Sequence, residues 1–160
     1  MMKKTLKLLE ENALLTTAEL ALLQGRSEAE IAAELEEARA RGLLLGSRAV
    51  IDWERAGSEM VTAFIDVKVT PQRGVGFDRV AERIYQFEEV TSLYLMSGGY
   101  DLQVVILGKT LKEVALFVAE KLSTLEMVTG TATHFLLKKY KEGGVVYHKR
   151  DEQEERVTFL

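Results

Sequence analysis

The chain has 160 residues, 47% of them hydrophobic, with a formal net charge of −4 and no cysteine. That much apolar mass can bury a real core, and the mild charge speaks against both a strongly basic nucleic-acid-binding chain and an acidic disordered one. The missing thiols exclude disulfides, thiolate metal sites and a cysteine nucleophile. Neither a run of about 18 apolar residues nor a signal-peptide pattern occurs, so a soluble, cytoplasmic protein with no membrane partner is expected.

The N-terminal part reads as three short helices. Leu6, Leu9 and Ala13 recur at spacings of three and four and give one apolar stripe. Thr16 or Thr17 caps a second helix that Gly25 terminates. Ser27 and Glu30 fit a capping box for a third, which runs to about Arg41 and stops at Gly42. Residues 43–53 alternate loosely around Gly46-Ser47 and predict a small β-wing. Together these make a winged helix-turn-helix over residues 1–53. Residues 54–59, with a glycine and charges, read as a linker.

Beyond the linker the period changes. Val61, Ala63, Ile65, Val67 and Val69 occupy alternate positions, a strand with one apolar face. Residues 71–76 are a loop, and Phe77, Val80, Ala81, Ile84 and Phe87 follow helical spacing. Residues 90–96 predict a second strand, and Leu102, Val104 and Ile106 a third. Leu111, Val114, Ala115, Val118 and Leu122 form an amphipathic helix, and a fourth strand covers 128–139. The order βαββαβ is ferredoxin-like and spans residues 60–140. The fold class is therefore α+β, a winged helix-turn-helix followed by a ferredoxin-like domain. Its central hairpin carries Ser97-Gly98-Gly99-Tyr100-Asp101, whose glycines are expected to supply positive φ. Residues 141–160 read as a charged tail in which Val145, Val146 and Tyr147 form one short strand.

Two helices cover only one face of such a sheet. Thr62, Phe64, Asp66 and Lys68 lie on the other face of the first strand, and Gln103, Val105 and Leu107 on the other face of the third. A twofold-related copy is expected to bury this partly apolar surface; a monomer with a solvated second face is the alternative.

No motif points to catalysis, a metal or a cofactor, and only the occurrence of ferredoxin-like domains in small oligomeric enzymes leaves catalysis as an alternative. No His-x-x-His and no Asp-rich metal loop is present, and Gly74-Val75-Gly76 lacks the third glycine of a phosphate loop. His134 faces away from Thr133 and Phe135 and reads as a structural histidine; His148 reads as solvated. Trp53, Tyr85 and Tyr94 are expected to pack in the core or at an interface.

Three stretches, Ser97-Gly98-Gly99-Tyr100-Asp101-Leu102, the helix over 111–122 and Val128-Thr129-Gly130-Thr131-Ala132-Thr133, follow a winged helix-turn-helix here. This combination resembles the Lrp/AsnC family of feast/famine regulators. The resemblance implies C-terminal domains that pair into dimers and often octamers, a small effector, usually an amino acid, held between dimers, and DNA bound by the N-terminal domain. It implies an effector pocket at Gly98, Gly99, Tyr100, Asp101, Thr131 and Thr133. There Asp101 would accept from an ammonium, the N–H groups near Gly98 and Gly99 would hold a carboxylate, the threonines would add hydroxyls and Tyr100 a wall. The residues by themselves leave open a plain turn, with Asp101 capping the hairpin or pairing with a basic residue across an interface.

The DNA contacts so implied fall to Arg26, Ser27, Arg39 and Arg48, with Lys3, Lys4 and Lys7 near the phosphates. The third helix is the obstacle. Five glutamates, Glu28, Glu30, Glu34, Glu36 and Glu37, stand against Arg39 and Arg41, a net −3. Opposite the buried stripe of Ile31, Leu35 and Ala38 it presents alanines and glutamates, where DNA readers present basic and amide side chains. Phosphates repel such a helix. The alternative is an oligomeric ligand-sensing or interaction module that has lost DNA binding.

Overall fold

In the computed structural model, which describes residues 2–70 and 76–147, the capping signals fix where the first helices begin. Helices α1 (Met2–Glu11), α2 (Thr17–Gln24) and α3 (Glu28–Ala40) follow one another. Thr16 caps α2 and Ser27 caps α3, each in a reciprocal box with Glu19 or Glu30. In both boxes the cap residue's backbone N–H donates to the glutamate and holds that carboxyl below its ordinary range.

Leu20, Ala21, Ile31 and Leu35 form the core of this unit, Met1–Ile51, with Leu8, Leu9, Leu15 and Leu44 packed against them. The inward stripe of α1 is Thr5, Leu8 and Leu9, not the expected Leu6, Leu9 and Ala13, because the helix ends at Glu11 and leaves Ala13 exposed. Thr5 is fully buried. Its hydroxyl lies in hydrogen-bond reach of Glu34 and receives the Gln24 side-chain amide at 3.0 Å, while Glu34 also takes Arg26 at 2.8 Å. One polar knot therefore ties all three helices together.

The expected β-wing does not form: residues 43–53 contain no strand. Gly46 does not take the positive φ that a tight hairpin turn requires, so the two arms are not folded onto one another. Residues 54–59, expected as a linker, include a hydrogen-bonded turn, with Ala56 N–H to Asp52 C=O at 3.0 Å and Ser58 N–H to Trp53 C=O at 2.8 Å.

The second unit, Asp52–Leu160, is built on a four-stranded antiparallel sheet. Its elements are β1 (Val61–Val69), α4 (Asp78–Ile84), β2 (Val90–Leu95), β3 (Leu102–Gly108), α5 (Leu111–Phe117) and β4 (Val128–Phe135). The strand order is β2-β3-β1-β4, as the βαββαβ pattern requires. Alternation along β1 sends Ala63, Ile65, Val67 and Val69 inward, where they meet Leu102, Val104 and Ile106 of β3. Val80 and Ile84 of α4, with Val114 and Phe117 of α5 and Leu122 beyond it, close that core from the helical side.

The second helix changes character along its length. After α5 the residues Val118–Leu122 form a π-helical turn, and Lys121 of that turn pairs with Glu89 above the Phe87 and Phe117 rings. Strand β4 ends at Phe135, opposite Ala63, rather than near residue 139; one more backbone bond follows, from Leu136 N–H to Thr62 C=O at 2.9 Å. The single strand expected at residues 145–147 is half of a hairpin, β5 (Lys141–Glu142) with β6 (Val145–Val146). Gly143 and Gly144 turn it with φ of +53° and +84°, the mirror-image turn that suits strand twist. His148 and Gly74-Val75 lie outside the described residues.

Candidate functional site

The glycine loop joins β2 to β3 and is anchored at Asp101. The Asp101 C=O accepts from Met96 N–H at 2.8 Å, and its N–H donates to Val67 C=O at 3.1 Å. Its carboxylate Oδ2 accepts from Val69 N–H at 2.8 Å. Asp101 thus caps backbone at the foot of the hairpin, one of the alternatives its sequence left open. Gly98 and Gly99 do not adopt the positive φ expected of them. Both are exposed, and a Cβ built on either would meet nothing within 4 Å. Neither turn geometry nor packing within the chain demands glycine there, so what remains is open backbone that another molecule can approach.

Thr131 and Thr133 share a face, as expected, and it is the helix-covered face: they pair with Val67 and Ile65, both fully buried. Both threonines are half-buried. Asp101 and Thr131 flank Val67 from opposite sides, about 10 Å apart at two strand spacings, with Thr133 a further residue pair along. Of the six expected effector residues, Asp101 and Thr131 thus lie toward the Val69 end of β1, and Thr133 lies opposite Ile65, midway along it. A cleft of about 320 Å³ does open beside them, lined by Phe77, Asp78 and Tyr85 against Val90, Leu95 and Leu102, and none of the six lines it. Thr129 is the residue that sequence reasoning overlooked. Its hydroxyl donates to Lys68 C=O at 3.3 Å where the β1–β4 register shifts; the signal was its place in the quoted Thr-Gly-Thr run.

The face of the sheet turned away from the helices carries Phe64, Asp66, Gln103, Val105, Leu107 and His134, according to the strand register. His134 Nε2 lies 3.1 Å from Asp66 Oδ2, and Gln103 Nε2 donates to Asp66 Oδ1 at 3.4 Å. The row crosses three strands amid apolar neighbours. Trp53, Tyr85 and Tyr94, expected in the core or at an interface, are 60%, 57% and 51% exposed, which takes them out of the core.

On the helical unit, the four residues assigned to DNA fare differently. Arg26 is withdrawn into the polar knot with Glu34, its side chain only 14% exposed, which corrects its assignment as a phosphate contact. The Ser27 hydroxyl is spent on the capping box. Arg39 and Arg41 are exposed but pair with Glu36 and Glu37 on their own helix. Arg48 is exposed, and it forms no ion pair among the described residues. No three or more His, Asp or Glu side chains among the described residues stand close enough to hold a metal ion. No described helix is long and apolar enough to cross a membrane.

Comparison with known proteins places this geometry. The sequence profile of the Lrp/AsnC ligand binding domain matches residues 62–146. The uncharacterized HTH-type transcriptional regulator YugG of Bacillus subtilis is 48% identical over 154 residues, 96% of this chain and 93% of that protein. The HTH-type transcriptional regulator FL11 of Pyrococcus horikoshii is 30% identical over 88% of this chain and 89% of its own length. Among solved structures, the complex of the transcriptional regulator NMB0573 with L-Met from Neisseria meningitidis superimposes with a TM-score of 0.70 at 23% identity, covering 88% of this chain and 90% of that one. The leucine response regulatory protein LrpA of Mycobacterium tuberculosis gives a TM-score of 0.74 at 20% identity, over 87% of this chain and 92% of that one.

Proposed function

The chain belongs to the Lrp/AsnC family of HTH-type transcriptional regulators, and from that premise we propose that it binds DNA through its N-terminal helices under the control of an amino acid. The amino acid sits at seams between copies of the C-terminal unit. The observation that carries this reading is the match of residues 62–146 to a ligand binding domain. Three others support it. A regulator of the same fold is found in complex with L-Met. Asp101 and Thr131 stand on opposite sides of Val67 toward the end of β1, as parts of a shared pocket would. One face of the sheet is also turned away from α4 and α5 and is partly apolar, and a second copy would bury it.

In this reading the protein works in the cytoplasm as a binding protein, not a catalyst; the effector leaves unchanged. Residues 1–53 meet DNA, 54–59 connect, 60–140 sense and assemble, and 141–160 form the tail. Arg48, Lys3, Lys4 and Lys7 meet phosphates, and Arg39 joins them only by releasing Glu36. Thermal-shift measurements against the twenty amino acids test the sensing. One of them at millimolar concentration raises the unfolding midpoint by mass action; no shift from any of them, with the oligomer intact, removes the effector from the account.

A second reading is favoured by one specific observation. The third helix is net negative, and both of its arginines are engaged by its own glutamates. The chain would then be an oligomeric sensing module without DNA binding. Titration with duplex DNA at about 20 mM salt, where screening is weak, separates the two: retained binding supports the regulator, and none supports the module. Reversing Glu36 and Glu37 to lysine raises non-specific affinity by about tenfold or more if the helix faces the groove, and leaves it unchanged otherwise.

A further inference from the structure

The Lys68–Val69 peptide at the end of β1 is gripped by side chains on both of its sides. Its N–H donates to Asp101 Oδ2 at 2.8 Å, and its C=O accepts from the Thr129 hydroxyl at 3.3 Å. This is where the β1–β4 ladder loses its regular register: Lys68 lies opposite Gly130 and Val69 opposite Val128, with Thr129 passed over. The Lys68 C=O faces that break on the β4 side, while the Val69 N–H points the other way, past the end of the β1–β3 ladder at Val67 and Leu102, and both groups still have to be satisfied. Here a side chain of β4 and one of the loop before β3 do it. Asp101 is itself fixed by backbone bonds to Met96 and Val67, so it binds together the ends of β1, β2 and β3.

We propose that Asp101 and Thr129 are positioning residues: by holding one peptide from both sides they set the 97–100 loop and the Thr131 strand in fixed relation. In this role Asp101 acts as a hydrogen-bond acceptor for backbone, not as the ionic partner of a ligand ammonium. The functional meaning rests on the effector reading above and reassigns one residue within it. Chemistry separates the two roles of Asp101. Accepting from Val69 N–H needs a lone pair, which asparagine keeps; pairing with an ammonium needs the negative charge, which asparagine lacks. Thr129→Ser likewise keeps the hydroxyl and Thr129→Val removes it.

The experiment uses the full chain and Asp101→Asn, Asp101→Ala, Thr129→Ser and Thr129→Val. Each is titrated calorimetrically with the twenty amino acids, and amide exchange at Val69 is followed by NMR. Asp101→Asn is expected to hold affinity within about threefold and keep the Val69 amide slow. Asp101→Ala is expected to weaken binding by about tenfold or more and to speed that amide comparably. Thr129→Ser should track the wild type while Thr129→Val loses affinity. If Asp101→Asn loses as much affinity as the alanine variant with Val69 still protected, the carboxylate is a ligand contact and the proposal is overturned. Should Asp101→Ala fail to fold, Asp101→Asn and Thr129→Val decide alone. Should no amino acid bind the wild type, the effector reading fails separately, and unchanged Val69 exchange in Asp101→Ala and Thr129→Val sinks the positioning role.

Discussion

Arg26 and Glu34 show how a residue's neighbours overrule its type. A lone arginine beside a helix start looks like a phosphate contact, yet here its guanidinium lies inside, and its Nε is buried with no hydrogen-bond partner among the described residues. The Thr5 hydroxyl, more than the arginine, holds the Glu34 carboxyl below its ordinary range against the opposing effect of burial. A carboxyl depressed on folding contributes stability above its unfolded value, near 4.5, and loses it as pH falls through the lower folded value. Glu34→Gln keeps a hydrogen bond to Thr5 but leaves Arg26 a nearly buried charge without its counterion. The expected cost at neutral pH is about 2–3 kcal/mol. Urea unfolding of both proteins should show that gap constant at neutral pH and shrinking as pH falls below the unfolded value near 4.5 and the wild-type carboxylate protonates.

At the level of elements, the glycines separate structural from functional demand. Gly25 ends α2 with φ of +62°, a left-handed conformation, so Gly25→Ala should cost about 1 kcal/mol in chemical denaturation. Gly98 has ordinary φ and open space around it, so Gly98→Ala should leave the midpoint unchanged and alter only what docks on the loop. Whole elements were legible in the sequence wherever period and caps agreed. The box at Ser27, the alternation along β1 and the order βαββαβ all appear as read, and Thr16, one of the two caps offered for α2, is the one used. The wing failed because loose alternation says nothing about whether a turn brings two arms together. The overrun of β4 has a similar cause: how far the strand runs depends on its pairing with β1, some seventy residues away in sequence. The candidate site was half legible. Loop and threonines could be named, but the shared peptide between Asp101 and Thr129 depends on a register shift that no local pattern announces.

For the whole molecule, the proposed assembly turns on the sheet face away from the helices. Phe64 sits at its centre beside Val105 and His134, its register partners on β3 and β4, with Leu107 of that face 39% exposed. Phe64→Lys is expected to leave the unfolding midpoint nearly unchanged while analytical ultracentrifugation shows monomers where the wild type shows at least dimers. A monomeric wild type at high micromolar concentration would contradict assembly through this face. The Asp66 row bears on what such a cover has to supply. Both carboxylate oxygens already have partners on neighbouring strands of the same sheet, Gln103 on one side and His134 on the other. An incoming surface that leaves this row intact keeps both oxygens within reach of Gln103 and His134, so a largely apolar mate can close over it without having to supply hydrogen-bonding groups of its own there.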